Sequence, residues 1–149
     1  MTVWGTISGS DRFSYRREAM SKPLILVVED NPVEQMLVSL LAKRVGVDAC
    51  VVATGYKALE LIAETGKYSA VLLNYMLPAM SGPECAQKIR ELEADTASHI
   101  PLIAVTARAM DEARLDCFAS GMDDFLSKPY TIEQFQDMLS RWLPDESGS

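Results

Sequence analysis

The sequence has very little histidine. His99 is the only one in 149 residues, and it lies in a polar connection just before Pro101. That leaves no histidine-based triad and no zinc site to propose. Cysteine is nearly as sparse. Cys50, Cys85 and Cys117 are odd in number, scattered, and without metal-ligand spacing. Each sits among apolar neighbours, so buried free thiols are expected rather than disulfides, and with them a cytoplasmic location. Basic residues are outnumbered: 14 Lys and Arg against 21 Asp and Glu give a formal net charge of -7. With no basic block anywhere, a nucleic-acid-binding surface is excluded. No apolar run approaches the roughly 18 residues of a membrane-spanning segment, and the first residues lack the apolar core of a signal peptide. What remains is a chain that is 48% hydrophobic and 23% charged, of a length suited to one domain with its own core.

Residues 1–20 show no clear period and are expected to be a mobile leader or linker. Beyond them the pattern turns regular. Leu24 to Val28 reads as a buried strand, followed by Glu29-Asp30-Asn31-Pro32, where Asn31 suits a helix N-cap and Pro32 the first helical position. Val33, Met36, Leu37, Leu40 and Leu41 then recur at helical spacing up to a stop at Gly46. A second strand is expected over Ala49 to Val52, and a second helix over Tyr56 to Glu64. The third strand ends at Asn74, and the third helix runs from Pro83 to Glu93 with Cys85, Ile89 and Leu92 on one face. Leu102 to Val105, Met110 to Ala119 and Asp124 to Ser127 continue the alternation. Thr131 with Gln134 makes a capping box for the last helix, whose stripe is Phe135, Met138, Leu139 and Trp142. Strands alternating with helices over short connections give an α/β class. The predicted fold is a flavodoxin-like (βα)5 doubly wound sheet, five parallel strands in order 2-1-3-4-5.

The organising stretch is SAVLLNYMLPAMSG, residues 69–82. Its continuous apolar run is that of a strand buried on both faces, and it stops at a polar residue, Asn74. In such a sheet the carboxyl ends of the strands line the ligand crevice. Read together, the strand ends deliver Glu29 and Asp30, Asn74, Thr106, and Lys128 followed by Pro129. Any one has a plain explanation: solvated acids at a helix N-terminus, a cap, a surface lysine. Their arrival at successive strand ends makes the joint accident improbable.

These segments, LILVVEDNPVEQ, LLNYMLPAMSG, IPLIAVTARAM and SGMDDFLSKPY, resemble the receiver domain of response regulators in two-component phosphorelay signalling. VVEDNPVEQ with GMDDFLSKP most resembles receivers attached to hybrid sensor histidine kinases. The resemblance places a receiver domain over residues 21–144 and a flexible tail over 145–149. It implies a magnesium site made by Glu29, Asp30, the Met76 backbone carbonyl and the acceptor position, because this hard cation takes oxygen ligands. It implies that Lys128 and the metal neutralise a transferring phosphoryl group, that Thr106 hydrogen-bonds it, and that Phe125 is the aromatic switch. It implies a cis bond before Pro129. Partners would be a histidine kinase or a histidine phosphotransfer protein. A homodimer through the helix 4–strand 5–helix 5 face is a further expectation.

The acceptor position, however, holds Asn74 in place of Asp. A carboxamide carries no charge and forms no acyl phosphate, so the family's self-phosphorylation is expected to be disabled and magnesium binding weakened, with Asn74 a weak ligand at most. Ser81 and Leu77 also depart from common family residues without removing a required group. Two routes lead to such a chain: a pseudo-receiver that works by binding alone, or an Asp-to-Asn variant of an active, magnesium-dependent phospho-acceptor. A carboxylate and magnesium phosphatase of the haloacid-dehalogenase type is a remote alternative, since its Asp-x-Asp motif is replaced by Glu29-Asp30-Asn31 and no cap insertion is present. For the first helix, Val33, Leu37, Leu40, Leu41 and Val45 are expected to serve the core. Glu34, Gln35 and Val38 are expected outside, with Val38 joining Pro78 and Ala79 in a small apolar docking patch.

Overall fold

The computed structural model describes residues 22–107 and 111–143. The expected leader over 1–20 and the tail over 145–149 lie outside the described residues. Five strands and five helices alternate: β1 (Leu24–Val28), α1 (Pro32–Val45), β2 (Asp48–Val52), α2 (Gly55–Thr65), β3 (Ala70–Asn74), α3 (Gly82–Glu93), β4 (Leu102–Thr106), α4 (Asp111–Ala119), β5 (Asp124–Ser127) and α5 (Ile132–Trp142). All strand pairs are parallel and the order is 2-1-3-4-5, the flavodoxin-like arrangement expected.

Strand alternation divides the core into two layers. Leu26, Val28, Val71, Leu73, Leu102 and Ala104 face α2, α3 and α4, where Ala58, Ile62, Cys85, Ile89 and Cys117 meet them. Ile25, Val27, Ala70, Leu72, Ile103 and Val105 face α1 and α5, against Val38, Ala42, Phe135, Met138 and Leu139. The three inner strands carry side chains into both layers, which is why they read as unbroken apolar runs.

Helix entry is chemically specified. The Asn31 side chain accepts from the Val33 and Glu34 N–H groups at 2.9 and 3.0 Å, with Pro32 in the first turn. Thr131 and Gln134 close the expected capping box on α5. Gly46 ends α1 in the left-handed conformation, at φ 89°.

Helix α1 corrects the sequence reading. Val38 is 3% exposed and belongs to the core, whereas Val33, Leu37 and Leu40 are 75%, 50% and 60% exposed. Two apolar stripes compete on this helix, one of larger residues (Val33, Met36, Leu37, Leu40) and one of smaller (Val38, Leu41, Ala42, Val45). The cap decides between them. Gln35 donates to the Glu29 carbonyl at 2.6 Å, which turns the face carrying Gln35, Val38 and Ala42 inward. Close approach to the sheet favours the smaller stripe. On α3 the inner row likewise ends at Glu93, which is buried, while Leu92 is exposed.

Candidate functional site at the carboxyl edge of the sheet

Glu29 and Asp30 follow β1 directly. Glu29 is buried and Asp30 exposed, so the two acids have different surroundings. One Glu29 oxygen accepts from the Asn31 N–H at 3.0 Å, and the other accepts from the Lys128 ammonium at 2.9 Å. Glu29 is thereby committed to the fold as well as to the crevice.

Asn74 ends β3, buried, with its main chain paired to β4. The next loop is drawn tightly around it. Tyr75 N–H donates to the Val105 carbonyl at 3.0 Å, and Gly82 N–H donates back to the Tyr75 carbonyl at 2.9 Å. A Cβ on Gly82 would stand 2.4 Å from the Asn74 carbonyl oxygen, so only glycine permits this return of the chain. The Asn74 Nδ2 group donates to the Met76 carbonyl at 3.1 Å, and it lies 3.4 Å from Glu29 Oε2 and 3.5 Å from Asp30 Oδ1. The carboxamide thus turns its N–H bonds toward the three groups that the resemblance makes metal ligands.

Lys128 follows β5, with a cis bond to Pro129 as expected, and its backbone N–H donates to the Thr106 carbonyl at 2.8 Å. Its ammonium pairs with Glu29 and also with Glu34 in the first turn of α1. Burial by itself would lower the Lys128 pKa. The hydrogen bonds with Glu34 and Glu29, together with their negative charge, outweigh it and hold the ammonium above the ordinary lysine value. Sequence reasoning placed Glu34 on the outside of the first helix and missed it as a partner of Lys128.

Thr106 is buried at the end of β4. Phe125 is buried in the layer facing α2, α3 and α4, with the Arg114 guanidinium of α4 over its ring at 5.1 Å from the centroid. Tyr75, next to Asn74, donates its hydroxyl to Asp116 of α4 at 3.0 Å. The strand-end residues Glu29, Asp30, Asn74 and Lys128 therefore share one crevice. Thr106 adjoins it through Lys128, and Phe125 stands three residues before Lys128 on β5.

The crevice presents a hydrogen-bond donor among its acids. Magnesium needs lone pairs aimed at a common point, and here an N–H₂ group is aimed there. Both Glu29 oxygens already accept hydrogen bonds from protein donors, and among the described residues no group of three or more His, Cys, Asp or Glu is arranged to hold a metal ion.

The sequence matches the response regulator receiver domain family over residues 25–140. It is 37% identical over 134 residues to the hybrid signal transduction protein dokA of Dictyostelium discoideum, covering 89% of this chain and 8% of that protein. It is 33% identical over 121 residues to the sensor protein GacS of Pseudomonas syringae pv. syringae, covering 80% of this chain and 13% of that one. The chain therefore spans only a small part of these relatives' length. Among solved structures, the receiver domain of the sensor histidine kinase PA1611 from Pseudomonas aeruginosa PAO1, with a magnesium ion coordinated in its active-site cleft, superposes with a TM-score of 0.74. It is 34% identical, over 82% of this chain and 98% of that one. The receiver domain of the histidine kinase CKI1 from Arabidopsis thaliana, complexed with magnesium and beryllium trifluoride, gives 0.71 at 26% identity, over 80% and 88%. Strand order, strand-end chemistry and these likenesses agree: the chain belongs to the response regulator receiver domain family.

Proposed function

We propose that this receiver domain of two-component phosphorelay signalling works as a protein-interaction module that does not take up phosphate. The observation that carries the reading is the orientation of Asn74, whose Nδ2 group is directed at the Met76 carbonyl, Glu29 and Asp30. An amide nitrogen there is neither a nucleophile for phosphorus nor a ligand for magnesium, and the missing acceptor charge weakens metal binding further. One unit charge pair at about 4 Å and an effective dielectric near 20 is worth roughly 4 kcal/mol before desolvation. Thr106, Phe125 and Lys128 keep the places that the family gives its switch residues. The domain retains the shape of the signalling face without the chemistry that toggles it.

The partner is a histidine kinase or a histidine phosphotransfer protein, received on α1 beside the strand-end loops. What supports this is the outer stripe of α1. Val33, Met36, Leu37 and Leu40 are half or more exposed, on consecutive turns of one helix next to the crevice. Val38, the anchor expected from sequence, is core and drops out. Incubation with acetyl phosphate and magnesium, followed by intact-mass measurement, tests the reading. The expected outcome is an unmodified chain, with Asn74→Asp gaining one phosphoryl group. Stoichiometric labelling of the Asn74 protein would overturn it.

A further inference from the structure

Glu34 stands where nothing in the phosphorelay chemistry requires an acid, yet it pairs with the Lys128 ammonium of the crevice. Lys128 is anchored through its backbone to β4 and reaches across to α1, pairing with Glu34 as well as with Glu29. The side chain of Lys128 is 16% exposed and that of Glu34 is 41% exposed, so the pair is partly shielded from solvent. Asn74 offers Lys128 no anion, because a carboxamide carries no charge, and its amide nitrogen is turned to the acidic side. Between the first turns of α1 and the β5–α5 connection lies a cavity of about 320 Å³, whose walls include Val27, Leu37, Leu72, Val105 and Tyr130. Side-chain packing therefore does not fill the space between them, and the Lys128 bridge spans it.

We propose that Glu34 is a positioning residue, which takes up the lysine that an acceptor carboxylate would otherwise hold and so latches the first turn of α1 to the β5–α5 connection. The apolar stripe of α1 starts on that same turn, at Val33 and Met36. The latch presents the docking helix in a fixed pose with neither phosphate nor metal bound. A carboxylate at position 74 would compete for Lys128 and loosen it. The proposal rests on the interaction-module reading for its purpose, but not for its geometry.

Hydrogen–deuterium exchange of the free chain, read by mass spectrometry on the peptide covering residues 33–38, tests it without any partner or phosphoryl donor. Glu34→Gln and Lys128→Met are each expected to speed exchange in that peptide about fivefold, the scale of one partly shielded ion pair, with peptides from α5 unchanged. The double variant should be no faster than the faster single, because both substitutions remove the same contact. Asn74→Asp without magnesium should give a smaller acceleration in the same peptide. Unchanged exchange in Glu34→Gln, or additive effects in the double variant, would overturn the latch. Acetyl phosphate labelling decides the interaction-module reading separately, so the two can fail independently.

Discussion

The two ends of the sheet each gather charged side chains, and they use them differently. At the amino-terminal end, Arg90 of α3 donates to Glu93, Asp123 and the carbonyls of Ile100 and Gly121, all at 2.7–3.0 Å. Glu93 and Asp123 in turn accept from the Ile100 and Leu102 N–H groups at 2.6 and 2.9 Å. Every strong donor there meets a fixed acceptor, and half of the partners are main chain. At the carboxyl end side chains are the majority: Lys128 pairs with two glutamates, and Asn74 with two acids and one main-chain carbonyl. Main-chain partners cannot change hands without unfolding, whereas side-chain partners can. The first cluster is a clamp, and the second is an arrangement that another charge can redistribute.

The largest effect should come from breaking the clamp. Glu93 and Asp123 side chains are only 9% and 18% exposed beside Arg90. Arg90→Met would leave two shielded carboxylates without their guanidinium, Glu93 holding only the Ile100 N–H and Asp123 only the Leu102 N–H and the His99 ring, which costs about 3–5 kcal/mol. Urea unfolding followed by circular dichroism measures it. A loss under about 1 kcal/mol, the scale of an exposed pair, would erase the distinction between the two ends.

Next in size is Asn74→Asp. The new carboxylate would face Glu29 and Asp30 where the amide now donates, with Lys128 as partial compensation. A net loss of about 1–2 kcal/mol is expected in magnesium-free buffer, from like charges a few ångströms apart. Millimolar magnesium should recover it in the variant and do little to the Asn74 protein. Leu40→Glu should change stability by less than about 0.5 kcal/mol, as an exposed substitution does. It should weaken binding of a histidine phosphotransfer protein by about 1–2 kcal/mol, measured by titration calorimetry. Val38→Glu is the contrasting control, since a buried carboxylate there should unfold the domain before binding can be read.

These two ends also mark what was legible in the sequence. The strand order and the residues of the crevice could be read because successive apolar runs give way to Glu29, Asn74, Thr106 and, after Ser127, Lys128, and their joint arrival outweighs the plain explanation each has alone. The clamp could not. Arg90 and Glu93 at helical spacing look like an ordinary surface pair, and Asp123 comes from a distant part of the chain. Leu92 is the more apolar neighbour, so the row was drawn through it rather than through Glu93. The phase of α1 failed for a related reason. The stripe of Val33, Leu37 and Leu40 carries more apolar bulk than that of Val38 and Ala42, while the Gln35–Glu29 contact and the space under the helix chose the smaller stripe. Glu34 reads as an outward residue of the first helix, but its pairing with Lys128 depends on what position 74 fails to supply, a three-body condition that no local pattern encodes.

The smallest expected effect is kinetic and uses the cysteines as reporters for the two ends. Cys85 sits at the start of α3, its thiol within 3.9 Å of the Gly55 carbonyl on the crevice side, and burial pushes it up to about 12. Cys117 lies near the end of α4, where its carbonyl accepts from the Met122 N–H on the clamp side, and burial pushes its thiol up to about 11. For a thiol a raised pKa means the reactive thiolate is suppressed, so at pH 8, and still at pH 9, both remain protonated in the folded chain. Half-buried Cys50 on the edge strand β2 should therefore react first with a disulfide reagent, and the other two only after local opening. If the clamp and the crevice differ as argued, Arg90→Met should accelerate Cys117 more than Cys85, and Asn74→Asp should favour Cys85. Equal acceleration of both thiols in each variant would mean that the core opens as one unit, with the two ends mechanically indistinguishable.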